Sequence, residues 1–327
     1  MTSKTRRFSG TTGLAAGVRI AVVTACLAAA AHSQGAGAIV FQSDRDASPN
    51  TQIYSMNADG TAVVRLTNDS WRDRNPALSH DGRKVAFVSN RNGNDDIYVM
   101  NADGSGVAQL TFGPLDENPE WSPDGTKIAY ESNPNIGANF FDFQVWVASA
   151  EGTRTRKITS GTFDVQPSWS RDGRRIFFNR NYEIAVMNSD GTGATVLTSL
   201  PGYNEWPHQA PNGRIVFHSS HSGYYHIDVM NADGAGVTEI TTEPANDAWP
   251  VWSPDGRFIA FLSDRAGTGY IQIFRMAPDG SNLQQLTNDA ANNEFPSWGR
   301  TACRDDLGNS DRLGVGSQED GCHAGPN

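Results

Sequence analysis

The stretch Pro119-Glu120-Trp121-Ser122-Pro123-Asp124-Gly125 recurs in versions starting at Pro76, Pro167, Pro207 and Pro250, and once more truncated as Pro296-Ser297-Trp298-Gly299. A second stretch, Ile97-Tyr98-Val99-Met100-Asn101-Ala102-Asp103-Gly104, alternates with it, and its turn glycine returns as Gly60, Gly152, Gly191, Gly234 and Gly280. One unit reads as four strands, 76–79, 84–88, 97–100 and 107–111, separated by an Asp-Gly turn, a polar loop and an Asp-Gly hairpin. The strands are β-branched and aromatic, and nothing between them carries a helical period. Successive turn glycines lie 44, 48, 39, 43 and 46 residues apart. A period of ~40–45 residues with four strands per unit is that of a propeller blade.

The ends of the repeat decide how many blades there are. The first strand, Ala38-Ile39-Val40-Phe41-Gln42, reads as the second strand of a unit with no first strand before it. The last copy supplies only a first strand, around 295–298. Joining them completes one blade and leaves few open sheet edges. The predicted fold is therefore all-β: a six-bladed β-propeller of four-stranded antiparallel blades over 34–300, closed by pairing of its N- and C-terminal strands.

The repeated Trp121-Ser122-Pro123-Asp124-Gly125 and Trp252-Ser253-Pro254-Asp255-Gly256, together with residues 97–104, resemble the WD-like repeats of the TolB-type six-bladed propeller over roughly 38–300. The resemblance implies an exported bacterial protein whose propeller, like that of TolB, is a docking surface for partner proteins. The chain departs from TolB in having no separate α/β domain ahead of the repeats, and the family is functionally mixed.

Residues 1–33 read as a signal peptide. Lys4, Arg6, Arg7 and Arg19 form a basic start without acids, followed by an apolar run over 20–31, too short to span a bilayer, and by small residues at Ala31-His32-Ser33. Thr5-Arg6-Arg7 hints at a twin-arginine signal and the box ending at Cys26 at lipidation, each with an incomplete pattern. The expected location is periplasmic or secreted. Removing that segment takes the formal charge from −10 to −14, which argues against nucleic acid or anionic membranes as partners. No later apolar segment is long enough to cross a membrane, and a monomer is expected. Cys303 and Cys322 form a candidate disulfide in a Gly/Asp-rich tail, 301–327, expected to be flexible.

Strand order puts the Asp-Gly turns on one face, the bottom, and the more variable loops on the other, the top, where binding usually resides. Asp73, Asp116, Asp164 and Asp247 stand three residues before the repeat prolines, with Glu205 and Glu294 one residue later in two other repeats. By symmetry they ring the channel mouth. They read either as an acidic funnel or as turn caps demanded by the repeat itself. The residue just before each proline is Asn75, Asn118 or Gln166 in three blades and Trp206, Trp249 or Phe295 in the other three. Half the mouth should be aromatic, either to anchor a partner or to pack between blades. Four of the seven histidines, His208, His218, His221 and His226, fall in the fifth blade, and Gln209 replaces the tryptophan of the other repeats there. Grouped imidazoles offer a candidate divalent-metal site, against scattered packing histidines.

These features leave three readings. A protein-interaction scaffold using the top face and channel mouth accounts for nearly the whole chain. A metal-dependent lyase or hydrolase would rest on the fifth-blade histidines, yet no Gly-x-Ser-x-Gly elbow occurs and no catalytic residues are assigned. A small-ligand or glycan site would use the aromatic half of the mouth.

Overall fold

The computed structural model describes residues 37–46, 50–137, 139, 141–161 and 163–301. The signal peptide read at 1–33, Cys26, the Cys303/Cys322 pair and the tail from 302 onward lie outside the described residues.

The first blade holds β1 (Ala38–Ser43), β2 (Gln52–Asn57) and β3 (Val64–Arg65), and the second β4 (Asp73–Leu78), β5 (Lys84–Ser89), β6 (Asp96–Asn101) and β7 (Ala108–Gln109). The third holds β8 (Asp116–Trp121), β9 (Lys127–Ser132), β10 (Gln144–Ser149) and β11 (Thr155–Lys157). The fourth holds β12 (Asp164–Trp169), β13 (Arg175–Arg180), β14 (Glu183–Asn188) and β15 (Thr195–Val196). The fifth runs β16 (Asn204–Gln209), β17 (Ile215–Ser219), β18 (His226–Met230) and β19 (Thr238–Glu239). The sixth runs β20 (Asp247–Trp252), β21 (Ile259–Ser263), β22 (Gln272–Met276) and β23 (Gln284–Gln285), and β24 (Asn293–Gly299) returns to the first. Each sheet is a four-stranded antiparallel blade, and the first has the order β24-β1-β2-β3. The closure expected from the truncated repeats is present: Ala38 faces Gly299 and Ile39 faces Trp298 across the β1–β24 pair.

The core lies between blades. Ala77, Val88, Ile97 and Leu110 of the second blade pack with Trp121, Ile128 and Tyr130 of the third. The Trp121 indole N–H donates to the Ala77 carbonyl at 3.2 Å and that of Trp169 to the Glu120 carbonyl, so the repeat tryptophan ties the third and fourth blades to their predecessors. Gly104 in the hairpin has φ +86°, and a Cβ there would come within 2.5 Å of the Leu66 carbonyl of the preceding blade. The turn glycine thus supplies a left-handed backbone and also lets two blades approach.

The outermost strands are short, mostly two residues, and a threonine extends their pairing. Thr111 Oγ1 accepts the Ile97 amide at 3.0 Å; Thr67, Thr159, Thr198, Thr241 and Thr287 do the same in the other blades. Leaving these buried amides unpaired would cost about 1–3 kcal/mol each.

The innermost strands differ from the reading that started them at the proline. β4 begins three residues earlier, at Asp73, and its pairing with β5 shifts register between Arg74 and Ala77. At that bulge Asn75 has φ +49°, and Asn118, Gln166, Trp206, Trp249 and Phe295 repeat the conformation with φ of 50 to 58°. Left-handed backbone is unfavourable for residues with a Cβ, so the tertiary fold imposes it six times over. It is also what turns the pre-proline side chains into the channel.

The channel and its mouth as candidate functional site

A cavity of about 500 Å³ runs along the propeller axis, walled by the six repeat prolines and collared by the six pre-proline side chains. The collar has two halves. Trp206, Trp249 and Phe295 touch one another with ring centroids 4.9–5.7 Å apart, in edge-on and tilted geometry. Trp206 and Phe295 belong to blades that are not adjacent, so the three rings meet across the mouth, half-buried, instead of wedging between neighbouring blades. Opposite them the Asn75 amide donates to Asn118 Oδ1.

Proline cannot donate, so the bulged residue's own N–H needs an acceptor, and the preceding blade supplies it. Asn75 N–H donates to Gln42 Oε1 at 2.9 Å, Gln166 N–H to Glu131 Oε2 at 2.6 Å, and Trp249 N–H to His218 Nδ1 at 3.2 Å. Burial, reinforced by Glu117, pushes the Glu131 carboxyl up to about 8. His218 thereby keeps its other nitrogen toward Glu205, 3.5 Å away.

The acidic positions divide. Asp73, Asp116, Asp164 and Asp247 are buried at the start of the innermost strands and absent from the cavity wall. Arg180 donates to Asp164 at 2.7 and 2.9 Å, Arg265 to Asp247 at 2.5 Å, and Arg91 to Asp73 at 3.1 Å. Burial raises the carboxyls of Asp73 and Asp116. Glu205 and Glu294 are likewise absent from the cavity wall, each next in the chain to a collar residue, Glu294 accepting from Gln42 Nε2 at 2.9 Å.

The four fifth-blade histidines do not converge on one point: His208 and His218 stand apart, and His221 and His226 both face Glu239, at 3.9 and 2.6 Å. His208 lies on the innermost strand in the cavity wall, its Nδ1 accepting the Trp252 amide at 3.1 Å. His226 faces Glu239 Oε1 at 2.6 Å and the Glu243 carbonyl at 2.9 Å. His221 approaches Ser219 Oγ at 2.9 Å and Asp228 at 3.6 Å. Among the described residues no group of three or more His, Cys, Asp or Glu side chains is arranged to hold a metal ion.

Two features escaped the sequence reading. In blades one, two and six an arginine after the second strand lies over two rings: Arg45 over Phe41 and Tyr54, Arg91 over Phe87 and Tyr98, Arg265 over Phe261 and Phe274, at 4.7–5.6 Å. In the fifth blade His221 replaces the arginine and Asp228 the ring. Asp228 is 0 % exposed, and neither carboxylate oxygen has a hydrogen-bond partner among the described residues. Burial, then the charge of Glu239, pushes it up to about 7. Second, the residue before each Asp-Gly of the Trp-Ser-Pro-Asp-Gly phrase is His80 and Arg171 where two other copies have Pro123 and Pro254. That break in the repeat is the signal that could have been read. The Arg171 guanidinium reaches across the bottom of the cavity, donating to the Pro254 carbonyl at 2.9 Å and lying 3.0 Å from His80 Nε2.

On the top face an aromatic file crosses three blades. Phe141, Phe163, Tyr182 and Tyr203 follow one another with centroids 6.0, 5.2 and 4.7 Å apart. Tyr225 stands edge-on to His218 at 5.1 Å, and His218 lies 5.9 Å from Trp249. Phe141 is 58 % exposed and Tyr203 47 %.

Six WD-like blades around a proline-lined channel define a closed propeller of the TolB type. The sequence profile of the TolB beta propeller domain (PD40) matches residues 12–192 and 177–303, and the chain belongs to that family. Similar solved structures include TolB from Acinetobacter baumannii, at 19% identity and a TM-score of 0.71 over 81% of this chain and 67% of that one. A structure designated TolB from Agrobacterium tumefaciens aligns at 21% identity and a TM-score of 0.63, over 81% and 91% of the two chains. An oligogalacturonate lyase from Vibrio parahaemolyticus aligns at 17% identity and 0.50, over 77% and 73%. At these identities the likeness establishes a shared fold. No curated protein matches the chain.

Proposed function

We propose that this chain is an exported TolB-like propeller, periplasmic or secreted, that acts as a scaffold docking a protein partner on its top face and channel mouth. The observation that carries the reading is the aromatic file of Phe141, Phe163, Tyr182 and Tyr203, exposed at its outer members, beside the ring triad of the mouth. Exposed aromatic rings on a rigid scaffold contribute large contact area at low entropic cost, and such residues dominate interface energetics. Membership of the TolB propeller family supports both the docking role and the envelope location.

The test is crosslinking capture from envelope and culture fractions with the wild type and the double variant Phe141→Ser/Tyr203→Ser. Two rings lost from an interface centre correspond to roughly 2 kcal/mol or more, about thirtyfold in affinity. The expected result is that proteins captured by the wild type are lost by the variant, with its melting temperature unchanged. Equal capture by both would remove the top face as the docking surface.

A further inference from the structure

The cavity below the collar has chemistry of its own and shares only the ring triad with the docking face. Its floor carries two guanidinium groups, Arg171 and Arg300, and one carboxylate, Asp81, which accepts from Ser79 Oγ at 2.6 Å. Arg171 is half-buried, spans from the fourth blade to the second and sixth, and has no carboxylate within ion-pair distance among the described residues. Arg300, also in the lining but exposed, likewise has none, so the cost of desolvation falls on Arg171. A guanidinium withdrawn from water without a counter-charge is costly and attracts an anion. The walls add donors. Ser168 is 5 % exposed, lines the cavity, and its hydroxyl has no hydrogen-bond partner among the described residues. His208 uses Nδ1 as acceptor, so its proton sits on Nε2. Burial pushes the Glu120 carboxyl up to about 8 despite Arg171, which leaves it a donor near neutral pH. At the far end lie the three rings of the collar.

From the collar to the floor is about five residues of extended strand, roughly 16–17 Å, and a volume of about 500 Å³ lies within the range of small-molecule sites. We propose that this chamber binds a small organic carboxylate, its charged end held by Arg171 and Arg300, a polar middle by Ser168 and His208, and a ring against Trp206, Trp249 and Phe295. Carboxylate suits a planar guanidinium through paired, charge-assisted hydrogen bonds. The six prolines make the walls rigid, so little ordering is needed on binding.

Hippurate, with a carboxylate, a central amide and a phenyl ring, is the probe, and its neutral amide, hippuramide, the control. Calorimetric titration of the wild type should show saturable binding of one hippurate per chain, with hippuramide at least tenfold weaker. Arg171→Gln should weaken hippurate at least tenfold and hippuramide little. Because Arg171 also ties three blades, Arg300→Gln and Ser168→Ala provide the reading if that variant fails to fold, each expected to weaken hippurate several-fold. No saturable binding, equal affinity for the amide, affinity unchanged in the variants that fold, or inorganic phosphate binding as tightly as hippurate would each overturn the assignment. None of these variants alters the exposed aromatic file, which the Phe141/Tyr203 variant tests separately.

Discussion

Asp228 supplies the sharpest prediction about stability. Its carboxyl is fully buried in the fifth blade, without hydrogen bonds, faced by His221, His226 and Glu239, and shifted from 3.8 up to about 7. A carboxyl whose folded value is raised keeps its proton in the native state while the unfolded chain has already lost it. The native state therefore binds more protons between about pH 4 and pH 7, and stability from this group falls as pH rises through that window. The shift of about three pH units at about 1.4 kcal/mol each gives a penalty of at most about 4 kcal/mol, complete above pH 7 and absent below pH 4. Asp228→Asn removes the ionisation at nearly constant volume. His221, His226 and Glu239 are retained in both proteins, so the comparison reports the Asp228 carboxyl in its own surroundings. Urea unfolding at pH 4.5, 6 and 8 should show the variant gaining on the wild type by several kcal/mol at pH 8 and little at pH 4.5. A difference that is flat across that range, or largest at low pH, would refute the argument.

Gly104→Ala should cost several kcal/mol in denaturant unfolding, because the added methyl meets the Leu66 carbonyl at 2.5 Å as well as straining a φ of +86°. Gly125→Ala, with φ +68° and nothing within 4 Å of the new Cβ, should cost only about 1–2 kcal/mol, and equal losses would show that blade approach is not the constraint. Thr111→Val removes the acceptor for the buried Ile97 amide and should destabilise by about 1–3 kcal/mol, with faster hydrogen exchange at Ile97; unchanged exchange there would count against the clasp.

The architecture was legible because local and global signals agree at every repeat. Asp-Gly turns fix hairpins, alternating apolar residues fix strands, and the unmatched halves at 38–42 and 295–298 fix the ring closure. The two-sided character of the mouth was also legible, since Trp206, Trp249 and Phe295 occupy one repeat position. What the letters did not carry is direction. A residue before proline ordinarily prefers extended backbone, and only the bulge in the assembled blade turns these six side chains inward. For the same reason the buried aspartates and the glutamates flanking the collar, one residue apart in sequence, point to different places. Arg171 and Asp228 were missed because a repeat reading looks for agreement, and both are departures from it: a guanidinium in a proline's place, a carboxylate in a ring's place.

The caps on the bulged amides give the ring a grain that its six similar phrases conceal. Gln42, Glu131 and His218 belong to blades one, three and five and serve Asn75, Gln166 and Trp249 of blades two, four and six. At the matching sites of the even blades stand Val88, Asn179 and Leu262. The alternation breaks at the fifth blade, where Trp206 N–H donates to Gln166 Oε1 of the fourth at 3.2 Å. The seams between odd–even couples carry bonds of their own, Arg74 with Glu117 and Asn179 Nδ2 with the Asn204 carbonyl. Chimeras that trade an odd–even couple should keep the cap inside the couple and lose partners only at its two outer seams, where those trading one blade of a couple lose the cap as well.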